Sequence, residues 1–142
     1  LFEAPGIGPV FWPDHCVQGT PCADFHKGLN THIARAIIRK GCHIATDSYS
    51  GFLENDRQTP TGLDGYLRDR GIRRIFVFGL AFDYCVFFTA ADALDKGYEV
   101  YVIMDLTKAV ASPEESVSRA LESLTASGAK FIDSSVLQTE RS

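Results

Sequence analysis

Residues 75–85 have the sequence IFVFGLAFDYC, a continuous apolar run that ends in a polar turn. An apolar run without alternation, here 75–80, predicts a strand buried on both faces of a parallel sheet. Residues 84–96 predict a helix that Gly97 ends, since glycine adopts the backbone conformation that commonly follows a helix. The stretch therefore predicts a strand-to-helix connection in an α/β sheet, with Cys85 at the start of the helix.

The same alternation of strands and helices continues on both sides of this stretch. The other predicted elements are strands at 35–39, 99–104 and 130–133 and helices over 60–70 and from Ser112 to Gly128. In the last helix Ser112 is the predicted N-cap, and Pro113 takes the first position, where proline is favoured. This order predicts a three-layer α/β fold, a doubly wound and mostly parallel sheet with helices on both faces.

The N-terminal part does not fit this alternation. Leu1–Gly19 is rich in glycine and proline and shows no clear period, and a compact domain seldom opens on so long an irregular segment. Either it is a long functional loop or the chain starts in the middle of its fold, and we favour the second interpretation. We therefore expect a single domain over residues 1–142 whose N-terminal part is missing. Loss of a central strand would expose the apolar faces of residues 75–80.

Composition and charge exclude several classes of protein. Of the 142 residues 45% are apolar and 23% are charged, which is typical of a globular domain. Lys and Arg number 14 against 18 Asp and Glu, a net charge of −4, so neither nucleic acid nor a membrane surface is an expected partner. The apolar runs are strand-sized, which predicts no transmembrane span. Four cysteines without a CxxC pair indicate reduced thiols and a cytoplasmic protein.

Two residues near the carboxyl ends of predicted strands could carry chemistry, because ligands of open α/β sheets bind at that edge. Cys85 faces the free N–H groups at a helix start, which favour the thiolate and could hold an oxyanion. The alternative is a small buried core residue. Lys40 follows strand 35–39 and could lower the pKa of a nearby thiol and take part in proton transfer. The alternative is an ordinary solvated lysine.

Other candidates lie in less regular segments. In the stretch WPDHC (12–16) the indole, imidazole and thiol suggest a pocket wall and a metal ligand, although one loop histidine is more often a hydrogen-bonded surface group. Tyr49 could stack on a planar ligand, although the Asp and Ser around it are common turn residues. Asp105 and Thr107, just past the end of strand 99–104, are weaker candidates.

Taken in order, these segments closely resemble the nicotinamidase (pyrazinamidase) branch of the isochorismatase-like cysteine hydrolases. The matching segments are WPDHCVQGT (12–20), ADFH (23–26), RKG (39–41), DSYSGF (47–52), GLAFDYCVFFTAADALDKGY (79–98) and the strand that ends in Asp105. The most specific of them is WPxHC, which is typical of metal-containing nicotinamidases. The fold of that family is the α/β sheet that the periodicity predicts.

The resemblance implies a role for each residue of the turn. Cys85 matches the nucleophile, which attacks a carboxamide carbon and becomes an acyl-enzyme. Lys40 matches the lysine of an Asp–Lys–Cys triad. The backbone N–H groups of Ala81 and Cys85 match the oxyanion hole, and the Leu80–Ala81 bond matches a cis peptide that shapes it.

The resemblance also implies a pocket and a metal. Trp12, Tyr49 and Tyr84 match positions around the substrate ring, with Leu80 beside them. His15 matches a histidine ligand of one divalent metal ion, in the first place zinc, with iron or manganese as alternatives. The family's triad aspartate and its Asp-x-His metal ligands belong to a segment before the WPxHC motif, and no Asp-x-His precedes His15.

The function implied is hydrolysis of nicotinamide, and of pyrazinamide, to nicotinate and ammonia through a cysteine thioester, in NAD salvage. The partner is this small-molecule substrate, and a homo-oligomer is compatible with the family. Two alternatives stay open. One is a related cysteine hydrolase that acts on another small amide or ureido compound, and the other is a non-catalytic fragment that lacks the triad aspartate.

Overall fold

The structure, a computed structural model, describes residues 2–4, 7–10, 12–44 and 46–138. The chain divides into two compact units, Leu1–Ile37 and Ile38–Ser142. Among the residues that the structure describes, no helix has the length and apolar character needed to span a bilayer.

The first unit contains one antiparallel pair of short strands, β1 (Phe2–Ala4) and β2 (Ile7–Val10), and two single 3₁₀ turns at Pro21–Ala23 and Thr31–Ile33. The prediction that Leu1–Gly19 is irregular is therefore wrong where β1 and β2 form. Strands of three or four residues are too short to show an alternation of apolar and polar residues in the sequence. Residues 1, 5, 6 and 11 of that segment lie outside the described residues.

The second unit is an α/β unit built on a three-stranded parallel sheet in the order β3-β4-β5. Its elements are α1 (Leu63–Asp69), β3 (Arg74–Leu80), a π-helical turn (Phe82–Val86), α2 (Phe87–Asp95), β4 (Glu99–Lys108), α3 (Ser116–Ala126), β5 (Lys130–Ile132) and a 3₁₀ turn (Ser134–Gln138). The predicted α/β class is confirmed, and so are the strands at 75–80 and 130–133 and the helix within 60–70.

The core of this unit lies between the sheet and its helices. Val100 and Val102 of β4 are almost fully buried. The small side chains of α2 and the apolar face of α3 pack against them in one cluster that includes Ala90, Ala93, Ala120 and Leu124. The buried alanines of α2 therefore place this helix directly against the core face of β4.

One face of β3 is open to solvent. Phe76, Phe78 and Leu80 expose 41%, 56% and 73% of their surface, whereas Ile75 and Val77 contact the core cluster. Among the described strands, β3 pairs with β4 alone. The prediction of a strand buried on both faces is thus wrong for this chain, and the expected exposure of its apolar residues is confirmed.

The predicted strand at 35–39 is absent, because the described residues 34–44 contain no helix or strand. A strand exists only where a neighbouring strand accepts its backbone hydrogen bonds, and a short apolar run does not by itself supply that neighbour. Ile37 and Ile38 accordingly remain 52% and 37% exposed.

Two boundaries after β3 also differ from prediction. Strand β4 runs on to Lys108, and its register with β3 shifts so that Thr107 lies opposite Gly79; Asp105 and Thr107 therefore belong to the strand rather than follow it. Helix α3 begins at Ser116 with Glu115 as its N-cap, and the Ser112–Pro113 bond is cis. The helix starts late because backbone groups ahead of it bind a side chain of the π-helical turn, as described below.

At the amino end of the sheet, Glu99 of β4 joins all three strands. Its carboxylate accepts hydrogen bonds from Arg74 of β3 (2.6 Å), Lys130 of β5 (2.6 Å) and the hydroxyl of Tyr101 (2.9 Å). These bonds lower the pKa of Glu99 to about 2. The bond from Lys130 has the largest effect on this pKa, followed by those from Arg74 and Tyr101.

We expect the stability contributed by Glu99 to disappear in acid. Because its pKa in the folded state lies below the unfolded value of 4.5, the contribution is complete above pH 4.5 and is lost as the pH falls towards 2. Urea unfolding from pH 6 to 2.5 should show Glu99→Gln less stable than the parent at pH 6 and nearly equal at pH 2.5. The control is Glu122→Gln, at an exposed position of α3. A gap for Glu99→Gln that stays constant over this range would contradict the prediction.

Candidate active site

The site is built on the turn between β3 and α2. The strand ends at Leu80, the Leu80–Ala81 peptide bond is cis, and the carbonyl of Ala81 accepts the N–H groups of Tyr84 (3.2 Å) and Val86 (3.0 Å). The cis bond is the one that the resemblance implies. The helix predicted from residue 84 begins with a wider π-helical turn, a feature often found at functional sites. Cys85 lies within this turn, half-buried and with a free thiol.

Lys40 reaches this thiol from 45 positions earlier in the chain. Its ammonium group donates to Cys85 Sγ at 3.6 Å and to the carbonyl oxygen of Ser48 at 2.6 Å, and its side chain is partly buried. The ammonium of Lys40 can therefore pair with negative charge on the sulfur of Cys85. The structure thus brings together two candidates that lie 45 positions apart in the sequence.

The backbone beside Lys40 is fixed by a buried acid. Glu54 is 4% exposed, and its carboxylate oxygens lie 3.2 and 3.3 Å from the N–H of Gly41. Gly41 adopts a φ of 66°, a conformation that favours glycine. Neither Glu54 nor the carbonyl of Ser48 was predicted as part of the site, because a backbone acceptor leaves no mark in sequence and Glu54 lies in no motif.

Asp83 is a further residue of the site that the sequence did not predict. It is 6% exposed, and its carboxylate accepts the N–H groups of Val110 (2.9 Å) and Ala111 (2.8 Å) and the hydroxyl of Ser116 (2.6 Å). Burial raises the pKa of Asp83, but the bonds from Ser116 and the two amides outweigh it and leave the pKa below its usual value. In the sequence, Asp83 is an acidic residue between the apolar run of β3 and Cys85. This position is the feature that could have indicated its role.

The tyrosines predicted for the pocket contact each other. The rings of Tyr49 and Tyr84 lie edge to face with centroids 5.3 Å apart, and Phe88 stacks on Tyr49 at 5.5 Å. Tyr49 is buried, and the hydroxyl of Tyr84 donates to the carbonyl of Ser112. Burial, followed by the charge of Asp83, raises the pKa of Tyr84. The two rings form an aromatic cluster at the start of α2.

The weaker candidates have hydrogen-bond partners within the fold. Asp105 accepts the N–H (2.8 Å) and the hydroxyl of Ser134, which lower its pKa. Thr107 donates its hydroxyl to the carbonyl of Gly79. Both side chains therefore connect neighbouring segments of the sheet.

Trp12 and His15 belong to the first unit. Their rings lie edge to face with centroids 6.3 Å apart. His15 is exposed, and its Nδ1 lies 2.7 Å from the carbonyl of Pro13, which can only accept. In the tautomer that makes this hydrogen bond Nδ1 is the donor, and Nε2 keeps a lone pair for a ligand bond.

A metal site is not formed by the described residues alone. Among them, no three His, Cys, Asp or Glu side chains come together in a group that could hold a metal ion. His15 supplies one nitrogen donor and fits as a single ligand, whereas a protein site for a catalytic metal takes about three.

The chain is similar to known proteins over most of its length. The isochorismatase domain model matches residues 4–136. The nicotinamidase of Acinetobacter baylyi is 48% identical over 128 residues, which are 89% of this chain and 59% of that protein. The structure of PnC1 from L. infantum in complex with nicotinate superposes with a TM-score of 0.82 at 45% identity, over 90% of this chain and 62% of that chain.

A third relative is the pyrazinamidase of Pyrococcus horikoshii, whose structure is a complex with zinc. It superposes with a TM-score of 0.73 at 38% identity, over 89% of this chain and 64% of that chain. The chain thus spans less than two thirds of the length of each of these relatives. The match to residues 4–136, together with the α/β sheet of the second unit, shows that the chain belongs to the isochorismatase domain family.

Proposed function

We propose that the protein hydrolyses nicotinamide to nicotinate and ammonia through a thioester on Cys85. The observation that carries this proposal is the 3.6 Å contact between the ammonium of Lys40 and the thiol of Cys85 at the start of a helix. An amide is a poor electrophile, so its hydrolysis needs a nucleophile stronger than water, and a cation-paired thiolate is such a nucleophile. Identity to a nicotinamidase and likeness to a nicotinate complex support the choice of substrate.

The proposed reaction has two halves. The Cys85 thiolate attacks the carboxamide carbon, a C–S bond forms, and the carbonyl π electrons move to the oxygen. The tetrahedral intermediate then collapses, the C–N bond breaks, and the nitrogen leaves as ammonia with the proton that came from the thiol. Water next adds to the thioester carbon, and the C–S bond breaks to release nicotinate and restore the thiol.

The residues of the turn have separate roles in these steps. We assign the oxyanion to the backbone N–H groups of Ala81 and Cys85, since such donors are most effective in a fixed, partly dry turn. Lys40 holds the thiolate in its charged form. The proton passes to and from the carboxylate of the family's triad aspartate, which the resemblance assigns to a segment other than those matched here.

The substrate ring is assigned to the remaining predicted residues. Tyr49, Tyr84 and Leu80 of the second unit supply apolar surface for a flat heteroaromatic ring. The role of Trp12, which belongs to the first unit, stays a prediction from the resemblance. Tyr49 already stacks on Phe88, so one face of its ring is occupied within the fold. These assignments rest on the resemblance and on the aromatic cluster beside Cys85.

A divalent metal, zinc in the first place, is also proposed, with Nε2 of His15 as one ligand. The zinc complex of the related pyrazinamidase supports it, and so does the bond from His15 Nδ1 to Pro13, because metal-binding histidines commonly donate their other N–H to a carbonyl. We place the activity in NAD salvage in the cytoplasm, where the four free thiols stay reduced.

The direct test is ammonia release from nicotinamide, pyrazinamide and a carbamoyl amino acid, each with and without a chelator. We expect turnover of the two ring carboxamides, at least about tenfold slower release from the carbamoyl compound, and loss of turnover with chelator. Preference for the carbamoyl compound would instead support the related hydrolase. Turnover that the chelator leaves unchanged would remove the metal from the proposal and leave the amidase in place.

A further inference from the structure

We propose that Asp83 is a positioning residue, which holds the turn that carries Cys85 in its reactive arrangement by binding the segment between β4 and α3. This inference rests on the proposed role of Cys85 as nucleophile. Asp83 lies two residues before Cys85 inside the π-helical turn, and no step of the proposed reaction uses its carboxylate.

The carboxylate of Asp83 is fully engaged with one segment of the chain. One oxygen accepts the N–H of Val110, and the other accepts both the N–H of Ala111 and the hydroxyl of Ser116. Ala111 has a φ of 56°, in the left-handed region that alanine rarely adopts. The bond from its N–H to Asp83 therefore holds a backbone conformation that alanine would not prefer alone.

Two further hydrogen bonds run between the same two segments. The hydroxyl of Thr107 donates to the carbonyl of Gly79 before the turn, and the hydroxyl of Tyr84 donates to the carbonyl of Ser112 within it. The turn is thus attached to residues 107–116 on both sides of the Ala81 amide and as far as Tyr84, the residue before Cys85. Asp83 is the central attachment, and it is the one that is both charged and buried.

An asparagine cannot reproduce this arrangement. Its single side-chain oxygen replaces one of two acceptors, and its NH₂ group would face an N–H group that also donates. At least one of the three donors from Val110, Ala111 and Ser116 is left unpaired, which weakens the attachment of the 107–116 segment to the turn. Small displacements of reacting atoms reduce turnover strongly, because the nucleophile and the oxyanion donors must act together.

A matched comparison is available on the same helical run. Asp92 of α2 is also buried, at 2% exposure, but it pairs with Arg57 (2.6 Å) and has no bond to residues 107–116 among the described contacts. Asp83→Asn and Asp92→Asn both remove one buried charge. In the whole protein we expect Asp83→Asn to lower kcat for nicotinamide at least about tenfold per folded molecule, with KM changed less than about threefold. Asp92→Asn should keep kcat within about threefold of the parent.

Ser116 allows a milder version of the test. Ser116→Ala removes one of the three donors to Asp83 and should lower kcat by a smaller factor, whereas Ser116→Thr retains the hydroxyl and should restore it. A role in stability alone would lower the melting temperature of these variants without this pattern in kcat. This pair keeps the proposal testable if Asp83→Asn does not fold.

Amide hydrogen exchange gives a measurement that does not depend on activity. We expect Asp83→Asn to accelerate exchange in both 79–86 and 107–116, and Asp92→Asn to accelerate it in neither. Faster exchange in 107–116 alone, with kcat unchanged, would overturn the proposal. Asp83 would then stabilise the 107–116 segment and not the turn that carries Cys85. A parent protein that does not turn over nicotinamide would refute the proposed function, and the exchange result would still decide whether Asp83 holds the turn.

Discussion

Replacing Cys85 with alanine is expected to reduce ammonia release from nicotinamide at least about 1,000-fold. The thiol is the only group of the proposed reaction that forms a covalent bond to the substrate. Without it, the amides of the turn and the charge of Lys40 remain, but they have no nucleophile to assist. The measurement is the initial rate at saturating nicotinamide, with circular dichroism to show that the variant is folded.

The other thiols offer a matched control for this variant. Cys22 is free and exposed in the first unit, at a position where the resembled family often has glycine. Cys22→Ala should therefore keep the parent rate within about twofold. Retention of more than a few per cent of activity by Cys85→Ala would remove the thioester from the mechanism, since no other free thiol in the described chain contacts Lys40 Nζ.

Replacing Lys40 with methionine is expected to have the next largest effect, a loss of about 100-fold in kcat/KM. Methionine has a similar length but carries no charge and cannot donate to Cys85 Sγ or to the carbonyl of Ser48. The sulfur of Cys85 therefore loses the cation that pairs with its negative charge during attack. Iodoacetamide alkylation of Cys85, followed at pH 7 by mass spectrometry of its peptide, should slow together with turnover.

Lys96 provides the control for a lost positive charge. It lies at the other end of α2, as its C-cap, and its ammonium approaches Asp64 at 3.9 Å. Lys96→Met should leave both turnover and the alkylation rate of Cys85 near those of the parent. If Lys40→Met keeps a third or more of the parent kcat/KM, the lysine is a structural neighbour of the thiol and not part of the reaction.

Local sequence patterns predicted the elements whose formation depends on local interactions and on burial. The apolar run at 75–80 predicted β3, and helical spacing ahead of Gly71 predicted α1. The strand proposed at 35–39 failed because pairing depends on a neighbour that its own residues do not encode. The N-cap of α3 was predicted three residues early, at Ser112 instead of Glu115. Asp83, distant in sequence, binds Val110 and Ala111 and holds the chain ahead of the helix in a loop.

The site was predictable to a different degree. The position of Cys85 at a helix start follows from the strand-to-helix pattern. Its contact with Lys40 spans 45 positions: the pattern left it as one of two alternatives, and the resemblance favoured it. Local patterns do not contain such distances. The residues that fix the geometry, Glu54 and Asp83, act through backbone N–H groups, which every non-proline residue possesses, so no partner residue type marks them.

The exposed face of β3 has a consequence for how this chain behaves at high concentration. Phe76, Phe78 and Leu80 alternate along a strand whose second edge has no partner among the described strands. Such a strand presents unpaired backbone donors and acceptors beside apolar side chains, which is a template for addition of a strand from another molecule. We therefore expect the solubility of the 142-residue chain to be limited by association of folded molecules through β3. The free energy of unfolding should have less influence on it.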